Sequence, residues 1–222
     1  MKESLPLFVL LREIVRFKIY APIRRLVARW RDWKENTETE TLVDHSSLDL
    51  SRESESYEAT PYAHLERILD ELQITPGGVF LDLGCGKGRS LLAACRYPFS
   101  KVIGVEISGD LCAIARQNLS RLPNGTKCNT VEIICSDAAN YVFPDDSTHI
   151  YFFNPFSEDI MIQVVSNLFA SIKKFPREVI VAYYNPRHAK SLENRFPLSL
   201  LREVEFSNLG DRKSTRLNSS HT

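Results

Sequence analysis

The chain has 222 residues, enough for one domain with a sizeable core and some additional chain. Its 43% hydrophobic and 25% charged residues are ordinary for a soluble globular protein, and a formal net charge of zero gives no global reason to expect a nucleic-acid partner. The five cysteines show no CxxC spacing and no accompanying His cluster, which argues against a disulfide framework or a zinc site and for a reducing, cytoplasmic setting.

The charge is unevenly placed. Residues 1–34 hold nine Lys or Arg against three acids, and residues 35–58 hold eight acids against one base. Residues 5–30 read as helix, with Leu7, Leu10, Leu11, Ile14 and Val15 on one stripe and a break or kink expected at Pro22. The apolar run from Leu5 to Leu11 is too short to span a bilayer, and no small-residue cleavage site follows it. Such a basic amphipathic arm suits peripheral contact with an anionic membrane, and equally suits packing on its own domain or on a partner protein. Residues 35–56 are polar, lack an apolar period and read as an acidic linker. The expected organisation is therefore an arm over 1–34, a linker over 35–56 and a folded domain over 57–210.

From Tyr57 the texture changes. Thr60 has the chemistry of an N-cap and Pro61 that of a first helical residue, ahead of the stripe Tyr62, Leu65, Ile68, Leu69 and Leu72. Thr75-Pro76-Gly77-Gly78 makes a turn. Short apolar runs then alternate with helical segments: strands are expected at 79–83, 101–105, 131–135, 148–153 and 179–183, and helices at 89–96, 110–122 and 158–174. Residues 138–146 read as loop or a short helix, and 198–206 as a further strand. Continuous hydrophobicity, as in His149-Ile150-Tyr151-Phe152-Phe153, suits strands covered on both faces. The alternation predicts an α/β fold, doubly wound, with a mostly parallel sheet and helices on both faces.

In such a sheet ligands bind beyond the carboxyl ends of the strands, and here those ends are polar. They lead into Asp82 and Gly84, Glu106, Asp137, Asn154 and Asn185. The strongest local signal is Asp82-Leu83-Gly84-Cys85-Gly86-Lys87-Gly88 between a strand and a helix. Glycines let the backbone turn with positive φ and approach a ligand without an intervening Cβ. A dinucleotide-binding loop has Gly-x-Gly-x-x-Gly, whose third glycine falls on Arg89 here, so that pattern fails. The carboxylate of Asp82 would repel a pyrophosphate and attract an ammonium or sulfonium group. S-adenosyl-L-methionine (SAM) carries both, and the loop favours it over NAD.

This segment resembles motif I of class I SAM-dependent methyltransferases, and the similarity extends over roughly 57–186. The resemblance implies SAM as cofactor, with the loop backbone at Gly84, Cys85, Gly86 and Gly88 running past the methionine part and Asp82 helping to hold it. Glu106, 24 residues after Asp82, is implied as the acid on the ribose hydroxyls, with Ile107 beside it. Asp137, followed by Ala138, matches the acid near the adenine. Asn154-Pro155-Phe156 after the fourth strand is a relative of the Asn-Pro-Pro-Tyr of enzymes acting on planar nitrogens. Its second proline is missing and Phe156 comes one place early, which speaks against amide or adenine N-methylation. Asn154 remains the implied polar contact to substrate or to the methionine moiety, and the candidate catalytic residue. Tyr57 and Thr60-Pro61 match an aromatic and Thr-Pro pairing that precedes motif I in some protein-lysine methyltransferases without a SET domain, where they would act as a lid. With Pro155 and Phe156 they form the candidate substrate side. Cys85 lies between glycines instead of in a Pro-Cys motif after the fourth strand, so covalent catalysis is disfavoured. His188 stands near the same rim, and no metal ligands are expected.

Three functions compete at this level. The first is methyl transfer to an unidentified acceptor, a nitrogen of a protein side chain or of a small molecule being one candidate. The others are a SAM-binding regulator docked on a partner or membrane surface, and a nucleotide-dependent oxidoreductase. Family members end in an antiparallel hairpin. Here the string DRKSTRLNSSH after Gly210 has neither strand nor helical period and resembles a translated sequencing adapter. Residues 211–222 are therefore expected to be non-native and the last strand of the sheet absent. Resequencing the locus is expected to show the native frame departing near Gly210; a continuous frame through these codons would refute the expectation.

Overall fold

Continuous apolar runs bury both of their faces most effectively when they lie side by side beneath helices, and the runs of this chain do so in one seven-stranded sheet. The computed structural model describes residues 21–40, 59–72, 74, 76–122, 126–153, 156–208 and 211–220. The strands are β1 (Val79–Leu83), β2 (Lys101–Glu106), β3 (Thr130–Cys135), β4 (Ser147–Phe153), β5 (Val179–Tyr184), β6 (Leu198–Asn208) and β7 (Asp211–Ser220). Their order is β3-β2-β1-β4-β5-β7-β6, with β1 to β5 parallel and β7 antiparallel to both of its neighbours. The central strand β1 is buried at all five positions, whereas β3 at the sheet edge is at most half-buried.

Among the described residues the helices are α1 (Ala21–Glu35), α2 (Tyr62–Glu71), α3 (Arg89–Ala94), α4 (Gly109–Leu119), α5 (Glu158–Lys174) and α6 (Ala189–Arg195), with a 3-10 turn at Ala138–Asn140. Alternate residues of the strands feed two cores. Leu81, Ile103, Ile150 and Phe152 pack with Met161, Val164 and Leu168 of α5 in one. Phe80, Val102, Tyr151 and Tyr184 pack with Leu65, Ile68 and Leu69 of α2 in the other. Charges at the ends of α5, Glu158 and Asp159 in its first turn and Lys173 and Lys174 in its last, complement its dipole.

Two expectations change. Thr60 does not cap α2: Pro61 holds the N-cap position, and the buried Thr60 hydroxyl lies 2.7 Å from that of Tyr151. A hydrogen bond inside the core outcompetes local capping here. Pro22 stands in the first turn of α1, where proline is tolerated, and both the break or kink expected there and the stripe proposed for residues 7–15 depend on residues outside those described. The last strand is present, because Asp211–Ser220 fills the slot between β5 and β6. Ladder hydrogen bonds are made by the backbone whatever the side chains, and two neighbouring strands with open edges set the path. Leu217, opposite Ala182, enters the second core.

One glycine decides how closely the loop after β1 can approach the sheet. Gly104 of β2 lies beside Asp82 of β1, and a Cβ there would stand 2.5 Å from Leu91 Cδ1 and 2.6 Å from Cys85 Sγ. Both neighbours are buried, so neither can swing away. Gly104→Ala is expected to cost about 1–3 kcal/mol through overpacking, read as a melting temperature several degrees lower. An unchanged melting temperature would contradict this packing.

Candidate functional site

The loop leaving β1 turns on three glycines with positive φ: Gly84 (85°), Gly86 (53°) and Gly88 (82°). Most other residues would be strained at these angles. The loop is tied down as it turns. The amides of Gly84 and Cys85 both donate to the carbonyl of Val105, at 2.8 and 3.1 Å, and that of Gly88 donates to the carbonyl of Cys85 at 2.9 Å. Gly88 then caps α3 in the left-handed conformation. Asp82 at the end of β1 and Glu106 at the end of β2 flank this turn, and both are buried.

The two acids are held differently. Glu106 Oε2 accepts from the Gly86 amide and Oε1 from the Ser108 amide, each at 2.9 Å. Asp82 accepts from the Ser90 hydroxyl. Burial pushes the Asp82 carboxyl up to about 7; the Ser90 bond pulls it down, and the charge of Glu106 adds to the rise. Burial also raises Glu106, against the pull of the amides of Ser108, Gly86 and Ile107. Two desolvated carboxylates thus sit side by side with their charge only partly compensated. That is an electrostatic demand for a cation. Burial, with Asp82 and Glu106 nearby, pushes the Cys85 thiol well above its ordinary value, so it is no nucleophile.

The other expected residues divide. Asp137 stands just past β3 as expected but is exposed, and its carboxylate is used locally: it accepts from the Ala139 amide at 2.9 Å and from Asn140 Nδ2 at 3.1 Å. Ala138 is buried behind it, and Ile107 is exposed beside Glu106. Phe156 is half-buried and packs against the core around α5. Thr60 reaches Tyr151, which pairs with Asp82 across β1 and β4, so it underpins the loop. Asn185, past β5, has a φ of 52°, a left-handed conformation that asparagine tolerates better than most residues. His188 lies nearby, its Nδ1 3.8 Å from Glu158 Oε2. Tyr57, Asn154 and Pro155 lie outside the described residues. The sequence reading missed Ser90 and Ser108, which serve the two acids directly.

The strand order, with β7 reversed between β5 and β6, and the glycine turn between two acid-tipped strands give this chain the fold of class I SAM-dependent methyltransferases. Residues 80–175 match a family model described as a methyltransferase domain. The chain is 30% identical over 92 residues to 24-methylenesterol C-methyltransferase 2 of Oryza sativa subsp. japonica, a match covering 41% of this chain and 24% of that protein. The match thus spans about a quarter of the length of that relative. Among solved structures, an RNA methyltransferase from Salinibacter ruber in complex with S-adenosyl-L-homocysteine superposes with a TM-score of 0.55 at 19% identity, over 73% of this chain and 93% of that one. Magnesium protoporphyrin IX methyltransferase from Synechocystis PCC 6803, with bound S-adenosylhomocysteine, gives 0.53 at 15% identity, over 72% and 83%.

Ahead of the matched stretch, residues 36–40, read from sequence as linker, form a strap locked onto the glycine loop. Thr39, fully buried, receives a hydrogen bond from Arg89 Nε at 2.7 Å and donates to Asp32 Oδ1 of α1 at 2.7 Å. Asp32 also accepts from the amides of Thr39 and Glu40 and from the Tyr62 hydroxyl, at 2.7, 2.9 and 3.0 Å. Arg89 pairs with Glu40 at 2.6 Å, and Lys87, almost wholly buried, pairs with Glu38 at 3.0 Å. Asn118 of α4 clasps both strap and loop, donating to the carbonyls of Glu38 and Lys87. The available signal was Arg89 itself, a cation where a dinucleotide loop has glycine. Asp32→Ala leaves several buried donors unmatched and is expected to cost about 3 kcal/mol. Hydrogen exchange should then speed up at the Thr39 and Glu40 amides while β1 stays protected; unaltered exchange there would contradict the lock.

Proposed function

We propose that the chain is a SAM-dependent methyltransferase whose acceptor is a nitrogen of a protein side chain or small molecule presented at the carboxyl rim of the sheet. The observation that carries this reading is the buried pair Asp82 and Glu106 on either side of a positive-φ glycine turn. The residues present fit the cofactor. Asp82 is a desolvated acid suited to the methionine ammonium. Three backbone amides take three of the four lone-pair sites of the Glu106 carboxylate, which leaves one to accept from a ribose hydroxyl. Gly84, Gly86 and Gly88 supply the positive φ that turns the loop at the rim between the two acids.

SAM, when bound, would supply an electrophilic sulfonium methyl group, whose C–S bond would break as an acceptor nitrogen's lone pair forms the N–C bond, S-adenosylhomocysteine leaving and the nitrogen losing its proton. The barrier to such a displacement falls through alignment and exclusion of water. The chain's contribution is to hold. The Val105 carbonyl fixes the loop, Glu106 fixes Gly86, and Ser90 orients Asp82. The acceptor class is inferred from Asn154-Pro155-Phe156 following β4 in sequence, where an amide side chain and a carbonyl could receive hydrogen bonds from a nitrogen.

The site makes a signed prediction about pH. The free protein holds a proton on Asp82 below about pH 7, while a cationic ligand favours the carboxylate, so binding must release that proton at lower pH. Affinity for SAM is expected to fall by up to about tenfold per unit below about pH 7, as Asp82 takes up a proton, and to fall again above about pH 8, as the ligand's own ammonium loses one. Asp82→Asn should bind weakly and without the low-pH slope, and Glu106→Ala weakly with it. Calorimetric titration across this range is the check. A pH-independent affinity, or unchanged binding in both variants, would sink the assignment.

A further inference from the structure

Helix α1 presents two unlike faces. Inward, Ala28, Arg31, Asp32 and Glu35 fasten it to the domain: Arg31 pairs with Glu66 at 2.6 Å and lies 4.0 Å over the Tyr62 ring, and Asp32 holds the strap. Outward, Ile23, Leu26, Val27, Trp30 and Trp33 are exposed at 53, 64, 59, 58 and 78%. Turning by about 100° per residue, these five fall in one stripe about 120° wide. They include half of the large exposed hydrophobic side chains among the described residues, gathered on one helix. A patch of this kind marks a surface built to be covered.

The charges beside the stripe say by what. Both acids of α1, Asp32 and Glu35, are turned inward and engaged there. The charged side chains exposed on the stripe or beside its edge, Arg29 and Lys34, are both basic, and Lys34 sits 5.4 Å over the Trp30 ring. An apolar stripe carrying tryptophan, edged only by bases, matches the boundary between acyl chains and anionic headgroups. Among the described residues no helix is long and apolar enough to cross a membrane. We propose that α1 seats the protein on an anionic phospholipid surface, with Trp30 and Trp33 inserted at the headgroup level and Arg29 and Lys34 against the lipid phosphates. Because the inner face of the same helix holds the strap on Lys87 and Arg89, the seated surface is joined by direct contacts to the glycine loop.

The chain's two tryptophans both stand on this stripe, so its intrinsic emission reports on this face alone. The full chain is titrated with phosphatidylcholine vesicles, with and without about 30% phosphatidylserine, and binding is followed by emission and by flotation. The expected result is solvent-exposed emission in buffer that shifts to the blue on anionic vesicles, with binding at least about tenfold tighter than to neutral ones and weakened by salt. Arg29→Glu with Lys34→Glu, and separately Trp30→Ser with Trp33→Ser, should each weaken flotation by about tenfold or more while SAM binding stays unchanged. Failure of the wild-type chain to bind anionic vesicles, or equal binding by both variants, overturns the proposal. So does blue-shifted emission in buffer, which would mean that a second copy (a dimer mass) or residues 1–20 (a monomer mass) cover the stripe.

Discussion

Two carboxylates buried side by side at the tips of β1 and β2 are the constraint on which the rest of this structure depends. Removing such groups from water is costly unless something offsets it, and the surrounding chain offsets only part. Three backbone amides serve Glu106, and a single hydroxyl serves Asp82. To bring a backbone that close, the turn needs glycines at positive φ, and β2 needs Gly104 to admit Cys85 and Leu91 against the sheet. The pair is intelligible as one half of an interaction whose other half is a positively charged ligand.

The loop also contains two cations of its own, and their disposition matters as much as that of the acids. Lys87 and Arg89 lie within a few residues of Asp82 and could have neutralised it. They are instead committed to Glu38 and Glu40 of the strap, and Arg89 further to Thr39 and to the carbonyl of Thr60. The acidic run after α1 thereby acquires a structural purpose: it takes up the charge of the loop cations and leaves the acid pair with an unmet demand. Asp32 and Tyr62 close the arrangement, so α1, α2 and the start of α3 share one buried polar network. Networks of this kind fix a single arrangement because each member lacks a satisfactory alternative partner.

Much of this was legible in the residues. The five parallel strands emerge within a residue or so of where their apolar runs predict, and α5 matches its predicted span, because buried central strands and a long amphipathic helix carry strong periodic signals. The polar strand tips, and the placement of Asp82 and Glu106 on one rim, followed from the parallel topology. The remainder depends on contacts distant in sequence. Residues 36–40 have no period and read as linker, and only folding brings them to Arg89. Thr60 has cap chemistry, yet Tyr151, 91 residues away, claims its hydroxyl. Residues 211–220 have no strand pattern, and β5 and β6 impose one. Asp137 reached the expected place and spends its carboxylate on its own turn.

The most direct test of the account is to titrate the full chain in parallel with SAM and with NADH at neutral pH. A rim shaped by paired acids about a glycine turn should bind the sulfonium compound and show no heat with the dinucleotide. Binding of NADH with no binding of SAM would mean that those carboxylates serve some other purpose, and the functional reading would be wrong.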